Sequence, residues 1–305
     1  MTGNSILFGN GINRLNDNNI SWNRLLNTIK GRNVFNNGGL PNTMIYERVI
    51  LEQPDLRGDI IKDEYETKTK ISNLLEGIEP HYLYQELFKL NANNYLTTNY
   101  DYGFINSVKD IDENHLIKDH STENIYSVRR KKIISSNGYE PKNVWHIHGE
   151  ISLSPSIMLG LDHYSGSIGK INNYIKGNYE YTLNGSNVRE LSIGDKFEKE
   201  SFSGTSWLEL FFTSNVHIVG FTLDYSEFDL WWVLNKRARM MRGSRLRQTI
   251  NNRIRFYCIE IEEEKEGLLK SLNVEVIRIP TLKGKDKYFS FYENFLKNYN
   301  THNNT

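Results

Sequence analysis

Residues 95–101 read Tyr-Leu-Thr-Thr-Asn-Tyr-Asp, and residues 144–150 read Val-Trp-His-Ile-His-Gly-Glu. A short apolar strand in the first segment delivers Asn99 and Asp101 to its carboxyl end; one in the second delivers His148 just before Gly149. An amide orients hydroxyls and water, a carboxylate accepts hydrogen bonds or protons, and an imidazole titrates near neutrality. Residues 5–13, Ser-Ile-Leu-Phe-Gly-Asn-Gly-Ile-Asn, add an apolar run entering a glycine turn. Such a turn lets backbone amides approach a diphosphate, and a following helix N-terminus favours the negative charge. A fourth run, residues 216–219, ends at Gly220-Phe221-Thr222. If these four strands are parallel, their polar ends converge on one crevice, because open parallel sheets bind ligands outside the carboxyl ends of their strands.

Each segment also has a plain structural reading. Gly9-Asn10-Gly11 is a common turn. It lacks the third glycine of the dinucleotide fingerprint, and the next helix begins late, near Ser21, which disfavours an ordinary Rossmann dehydrogenase. Asn99 and Asp101 are good strand-end and helix-capping residues. His146 and His148 share a strand face, yet no metal is expected. The single cysteine, Cys258, rules out a zinc site of four cysteines or of two cysteines and two histidines, and a disulfide within the chain. Cys258 lies in an apolar strand and reads as inert packing.

The elements that must position these residues follow from hydrophobic periodicity. Strands are expected at residues 5–8, 94–98, 131–135, 144–147, 216–219, 254–261 and 274–279. Helical spacing appears at Trp22, Leu25, Leu26 and Ile29, at Ile71, Leu74, Leu75 and Ile78, and at Tyr84, Leu87, Phe88 and Leu90. Residues 31–42 read as a linker, with Pro41 and Pro54 as breakers. Residues 18–94 therefore form a mostly helical module after the first strand. Further helices are expected from Asp162, as a cap, and over residues 207–212, 228–241, 262–272 and 288–299. The whole is one α/β domain, residues 1–305: Rossmann-like, with a mostly parallel sheet, helices on both faces, a helical insertion and no zinc module.

Two charged stretches and one aromatic stretch need a place. Arg129-Arg130-Lys131-Lys132 reads as a solvated loop or hairpin edge. Phe228-Asp229-Leu230-Trp231-Trp232 reads as core packing or an oligomer contact. Lys236 with Arg237, Arg239, Arg242, Arg245 and Arg247 partly answers a helix C-terminal dipole, with a partner or phosphate contact as the alternative.

Composition sets outer bounds. The 305 residues are 38% hydrophobic, enough for a sizeable core, and 12% aromatic, more than disordered chains carry. Lys+Arg and Asp+Glu both number 37, so no global field draws the chain to nucleic acid or an acidic membrane. No signal-peptide pattern and no run of about 20 apolar residues occurs, so a cytoplasmic protein is expected.

The order of the motifs resembles that of sirtuins, and more closely the sirtuin-like domains of prokaryotic antiphage defence proteins. Leu96-Thr97-Thr98-Asn99-Tyr100-Asp101 looks like the defence-type version of the Thr-Gln-Asn-Ile-Asp motif. Val144-Trp145-His146-Ile147-His148-Gly149 is similar to the segment with the catalytic histidine, and Gly220-Phe221-Thr222-Leu223 to Gly-Thr-Ser-Leu. Trp22 with Leu25-Leu26 fits the Trp-x-x-Leu-Leu helix after the glycine turn. The chain departs from true deacylases in lacking the four-cysteine module and the Gly-Ile-Pro-Asp-Phe-Arg segment, where Asn13-Arg14-Leu15-Asn16 stands instead.

The resemblance implies an NAD+ glycohydrolase releasing nicotinamide and ADP-ribose, with NAD as substrate and no metal, which depletes NAD in abortive infection. It implies that Asn99 holds the ribose and water, Asp101 the nicotinamide carboxamide, and that His148 is the general base. Gly9, Asn10, Gly11 and Asn13 would cradle the diphosphate, Thr98 would join the cofactor contacts, and Gly220, Thr222 and Leu223 would border the adenosine ribose. A homo-oligomer is expected, with Trp231-Trp232 and residues 18–94 as contact surfaces. So is activation by a partner such as a helicase-like ATPase or an Argonaute-type protein. The alternatives are a non-catalytic NAD or ADP-ribose-binding regulatory module, and a zinc-free deacylase or ADP-ribosyltransferase.

Overall fold

Strand β1 (Asn4–Phe8) shows how the molecule is layered. Side chains alternate along a strand, so Leu7 enters one apolar layer while Ile6 and Phe8 enter the opposite one. The same division holds in β2 (Asn94–Thr97), with Leu96 on one side and Tyr95 on the other, and in β4 (Tyr139–His146), with Trp145 and Val144. It recurs in β7 (Asn215–Val219) and β8 (Ile254–Cys258). A strand that is apolar on both faces must be covered on both.

The structure, a computed structural model, describes residues 3–31, 35–52, 59–108, 125–243 and 249–303. With β3 (Lys132–Ser136) and β9 (Val274–Arg278), the strands form one seven-stranded sheet in the order β3-β4-β2-β1-β7-β8-β9. Every neighbouring pair is parallel except β3 with β4. The chain builds outward from β1 on one side, then returns to place β7 on the other. This is the arrangement that opens a crevice at the switch point.

One face is covered by α6 (Leu161–Lys176), α7 (Ile193–Glu198), α8 (Trp207–Thr213), α9 (Phe228–Arg242) and α10 (Glu263–Ser271). The other carries α4 (Tyr82–Phe88), α5 (Gly103–Asn106) and α11 (Lys287–Asn303). Between β1 and β2 lie α1 (Trp22–Lys30), α2 (Asn42–Leu51) and α3 (Ile60–Leu75), which share a third apolar cluster with Tyr100, Ile157 and Leu159. Helix α1 forms because Leu25, Leu26 and Ile29 fall on one face, and Ser21 Oγ accepts from Arg24 N at 3.2 Å to cap its first turn.

Several local readings are corrected. Helix α6 begins at Leu161 without Asp162 as its cap; His163 Nδ1 accepts instead from the amides of Leu159 (2.9 Å) and Gly160 (2.8 Å). Strand β4 starts at Tyr139, because Asn137-Gly138 turns the chain back onto β3, with Gly138 at φ +83°. A second hairpin, β5 (Glu180–Leu183) with β6 (Ser186–Arg189), turns at Asn184-Gly185 where no strand was expected. Both are Asn-Gly hairpin signals. The basic run does lead into a hairpin edge, since Lys132 opens β3, the outermost strand, but it is not merely solvated: Arg129 is buried with its guanidinium 3.4 Å from the Tyr181 ring centroid, and Lys132 pairs with buried Glu150.

Arg237 is a fold residue rather than a partner contact. It is buried, donating from Nε to Asn252 Oδ1 at 3.3 Å and from Nη2 to Asn252 O. Asn252 Nδ2 in turn donates to Phe211 O (3.0 Å) and Ser214 O (2.6 Å), which joins α9 to the end of α8. Arg245, Arg247 and Pro54 lie outside the described residues. Among the described residues, no helix is long and apolar enough to cross a membrane.

Replacing Asn252 with Ala strips the Arg237 cation of its side-chain acceptor and leaves two carbonyls unpaired. The expected cost is about 3 kcal/mol of folding stability, measured by urea unfolding; a loss within experimental error of zero contradicts this role.

Candidate functional site

Register places the site. Phe8 lies opposite Thr97 and Val219, and Thr97 lies opposite His146, so β1, β2, β4 and β7 end in one row across the sheet. Beyond that row the chains remain tied: Thr98 N donates to Phe8 O at 3.3 Å, Ile147 N to Thr97 O at 3.0 Å, and Gly11 N to Gly220 O at 3.2 Å. The residues emerging there line a cavity of about 380 Å³ that includes Asn10, Gly11, Thr98, Asn99, Asp101, His148, Gly220 and Thr222. From the helical insertion, Ser21, Trp22 and Asn23 at the start of α1 complete one wall.

Asn99 is held through its side-chain nitrogen and its backbone carbonyl. Its Nδ2 donates to Gly9 O (3.3 Å) and Tyr84 Oη (3.2 Å), which leaves Oδ1 as the atom to meet a ligand. His146 Nδ1 donates to Asn99 O at 2.9 Å. Burial pushes His146 down to about 4, so its ring is neutral and this tautomer is kept at physiological pH. His146 thus serves the backbone of Asn99 and does not share a strand face with His148, because β4 ends at His146.

Asp101 is buried, with Oδ1 accepting from Gly103 N (2.8 Å) and Oδ2 from Asn13 Nδ2 (3.0 Å). Burial raises its carboxyl to about 6, although both hydrogen bonds oppose the shift.

His148 follows the strand on a turn made by Gly149, whose φ is +99° and where a Cβ would meet Ser156 O at 2.2 Å. Its ring is 2% exposed. Nε2 lies 3.0 Å from Asp229 Oδ2, and Nδ1 lies 3.6 Å from Glu227 Oε2. Burial favours the neutral imidazole, but the two carboxylates outweigh it and bring the pKa up to about 9. The two carboxylates thus favour the protonated ring, whereas the general-base role expected of His148 requires a neutral one.

The ligand atoms of His148, Glu227 and Asp229 lie within 4.8 Å of one another, the spacing of a metal-binding set. The histidine faces both carboxylates but can balance only one of them, and the shorter contact is with Asp229.

Other expected contacts sort by position. Gly9 stands behind the wall, where its carbonyl holds Asn99; Asn13 is buried and holds Asp101; Leu223 is fully buried in the core. None of the three lines the cavity. Gly11 does, but its amide is engaged by Gly220 O and offers a close approach rather than a phosphate donor. A second cavity of about 560 Å³ reaches the end of β8 past Cys258 and shares Gly11, Arg14, Gly220, Phe221, Thr222 and Asp224 with the first. Trp231 packs against the core and donates from Nε1 to Asp224 O at 2.9 Å.

Sequence reasoning missed Glu227, Asp229 and Tyr164 as site residues. The available signal was Asp229 itself, a carboxylate within an apolar helix start, fully buried in the structure. Compared with known proteins, the chain matches no family profile and no curated sequence.

The His148–Asp229 pair makes stability depend on pH. Its folded pKa of about 9 lies above the unfolded value of 6.5, so the stabilisation is complete below pH 6.5 and lost as pH rises through 9. Wild-type protein should lose on the order of 3 kcal/mol across that window, and His148→Gln should show a much flatter profile by chemical denaturation. Equal slopes in both proteins contradict the pairing.

Proposed function

We propose that the chain is an NAD+ glycohydrolase that cleaves the nicotinamide–ribose bond and releases nicotinamide and ADP-ribose. One observation carries this reading. Asn99, Asp101 and His148 line a single cavity, and a second cavity joins it across the glycine pair Gly11 and Gly220. Two chambers meeting at close-packed backbone suit a ligand with a ring system at each end and a narrow linker. The motif order shared with sirtuin-like defence domains supplies the reaction and the biological role: NAD depletion in antiphage abortive infection.

Cleavage passes through an oxocarbenium-like state, with positive charge developing on the ribose while the leaving pyridinium becomes neutral nicotinamide. No acid is needed for that departure. Asn99 Oδ1 accepts from a ribose hydroxyl or from water, and Tyr84 and Gly9 fix its direction. Asp101, placed deeper, accepts from the carboxamide. Thr98 and Asn10 border the ribose and diphosphate, with the exposed Arg14 beside the glycine junction as a cation for the phosphates. His148 stabilises the carboxylates around it and shapes that wall of the chamber. In this proposal the protein works as a homo-oligomer or with an activating partner, an ATPase or Argonaute-type protein.

One observation favours the second reading, a module that binds NAD or ADP-ribose without turnover. In its paired form His148 has no free nitrogen to take a proton. Nicotinamide release by purified protein separates the two readings. Asn99→Ala is expected to lower kcat at least about a hundredfold, with ADP-ribose affinity, read by calorimetry, kept within a few fold. His148→Ala is expected to lose turnover similarly. Wild-type turnover in both variants removes the proposal.

A further inference from the structure

The residue that follows Ser226 sits where a helix usually caps itself. Glu227 is the N-cap of α9, with φ −78° and ψ 59°, yet its side chain makes no capping bond. It turns instead into the ligand chamber, where Tyr164 Oη donates to Oε2 at 3.0 Å and His148 Nδ1 approaches the same oxygen at 3.6 Å. Oε1 is left to face the chamber. Of the three clustered groups, Glu227 keeps 17% of its side chain exposed, against 2% for His148 and none for Asp229. Glu227 and His148 line the cavity, and Asp229 stands behind them.

The cluster's charges point the same way. Asp229 neutralises His148, so the carboxylate of Glu227 is the uncompensated negative charge at this wall. Positive charge developing on a ribose carbon is stabilised by a carboxylate and opposed by an imidazolium. Of the other acids of the chamber, Asp101 has both oxygens accepting, from Gly103 and Asn13, and Asp224 is exposed, holding Ser226 through Oδ1 and lying away from the His148 wall's buried pair.

We propose that Glu227 is the catalytic carboxylate of the NAD+ cleavage argued above, stabilising the oxocarbenium and accepting a proton from the attacking water. This inference rests on the NAD reading. In the step, the C1′–N bond breaks and its electron pair neutralises the pyridinium. Water oxygen bonds to C1′, and the water proton passes to Glu227 Oε1 and then to solvent. Burial holds the Glu227 carboxyl above the usual carboxylate range, which makes it a better acceptor for that proton. Tyr164 and His148 act as positioning residues by fixing Oε2.

The test compares wild type, Glu227→Gln and Glu227→Ala, with folding checked by thermal unfolding. In Glu227→Gln, kcat should fall at least about a hundredfold while KM stays within about threefold. In Glu227→Ala, sodium azide should restore nicotinamide release and divert the product to ADP-ribosyl azide, because an anionic nucleophile needs no base. A Glu227→Gln rate within threefold of wild type overturns the assignment, and so does failure of azide to give that product. If wild-type protein in excess over NAD+ releases no nicotinamide, the NAD reading falls and this role falls with it. The two failures are distinct.

Discussion

Four parallel strands end in one hydrogen-bonded row, Phe8 beside Thr97 and Val219, with His146 beside Thr97. The site depends on this row. A one-residue slip of β2 would turn Leu96 and Tyr95 to the wrong layers and carry Asn99 away from Gly9. The apolar layers on the two faces therefore fix the register, and the register fixes the chemistry. What looks like four unrelated motifs along the chain is one edge of one sheet.

Beyond that edge the site relies on buried polar groups that support each other. His146 secures the backbone of Asn99, Tyr84 and Gly9 secure its amide, and Asn13 secures Asp101. Asp229 secures the ring of His148 and favours its charged form. Each of these groups is costly to bury alone and tolerable only when paired. The result is a preorganised wall whose chamber-facing atoms, Asn99 Oδ1 and the Glu227 carboxylate, are the ones left for a ligand.

The layered α/β fold was legible in the sequence because its strands are short apolar runs with Gly, Asn or His immediately after them. The meeting of Asn99, Asp101 and His148 was legible for the same reason: each lies just past such a run. The β5–β6 hairpin was not read, because Leu183-Asn184-Gly185-Ser186 sits in a polar stretch without marked alternation. The acids around His148 were hidden by distance, being about eighty residues away and inside an aromatic helix start whose periodicity describes only packing. Arg237 read as one of a basic stretch answering a helix dipole or a partner, because its buried role depends on Asn252, which local sequence cannot show.

A crystal soaked with NAD+ or ADP-ribose tests the central claim most directly. The account predicts density for adenosine in the chamber at the end of β8, the diphosphate beside Gly11 and Gly220, and the second ribose within hydrogen-bonding reach of Asn99 Oδ1, with Glu227 beside its C1′. A ligand whose second ribose lies outside the chamber shared by Asn99 and His148, or no binding at millimolar concentration, contradicts it.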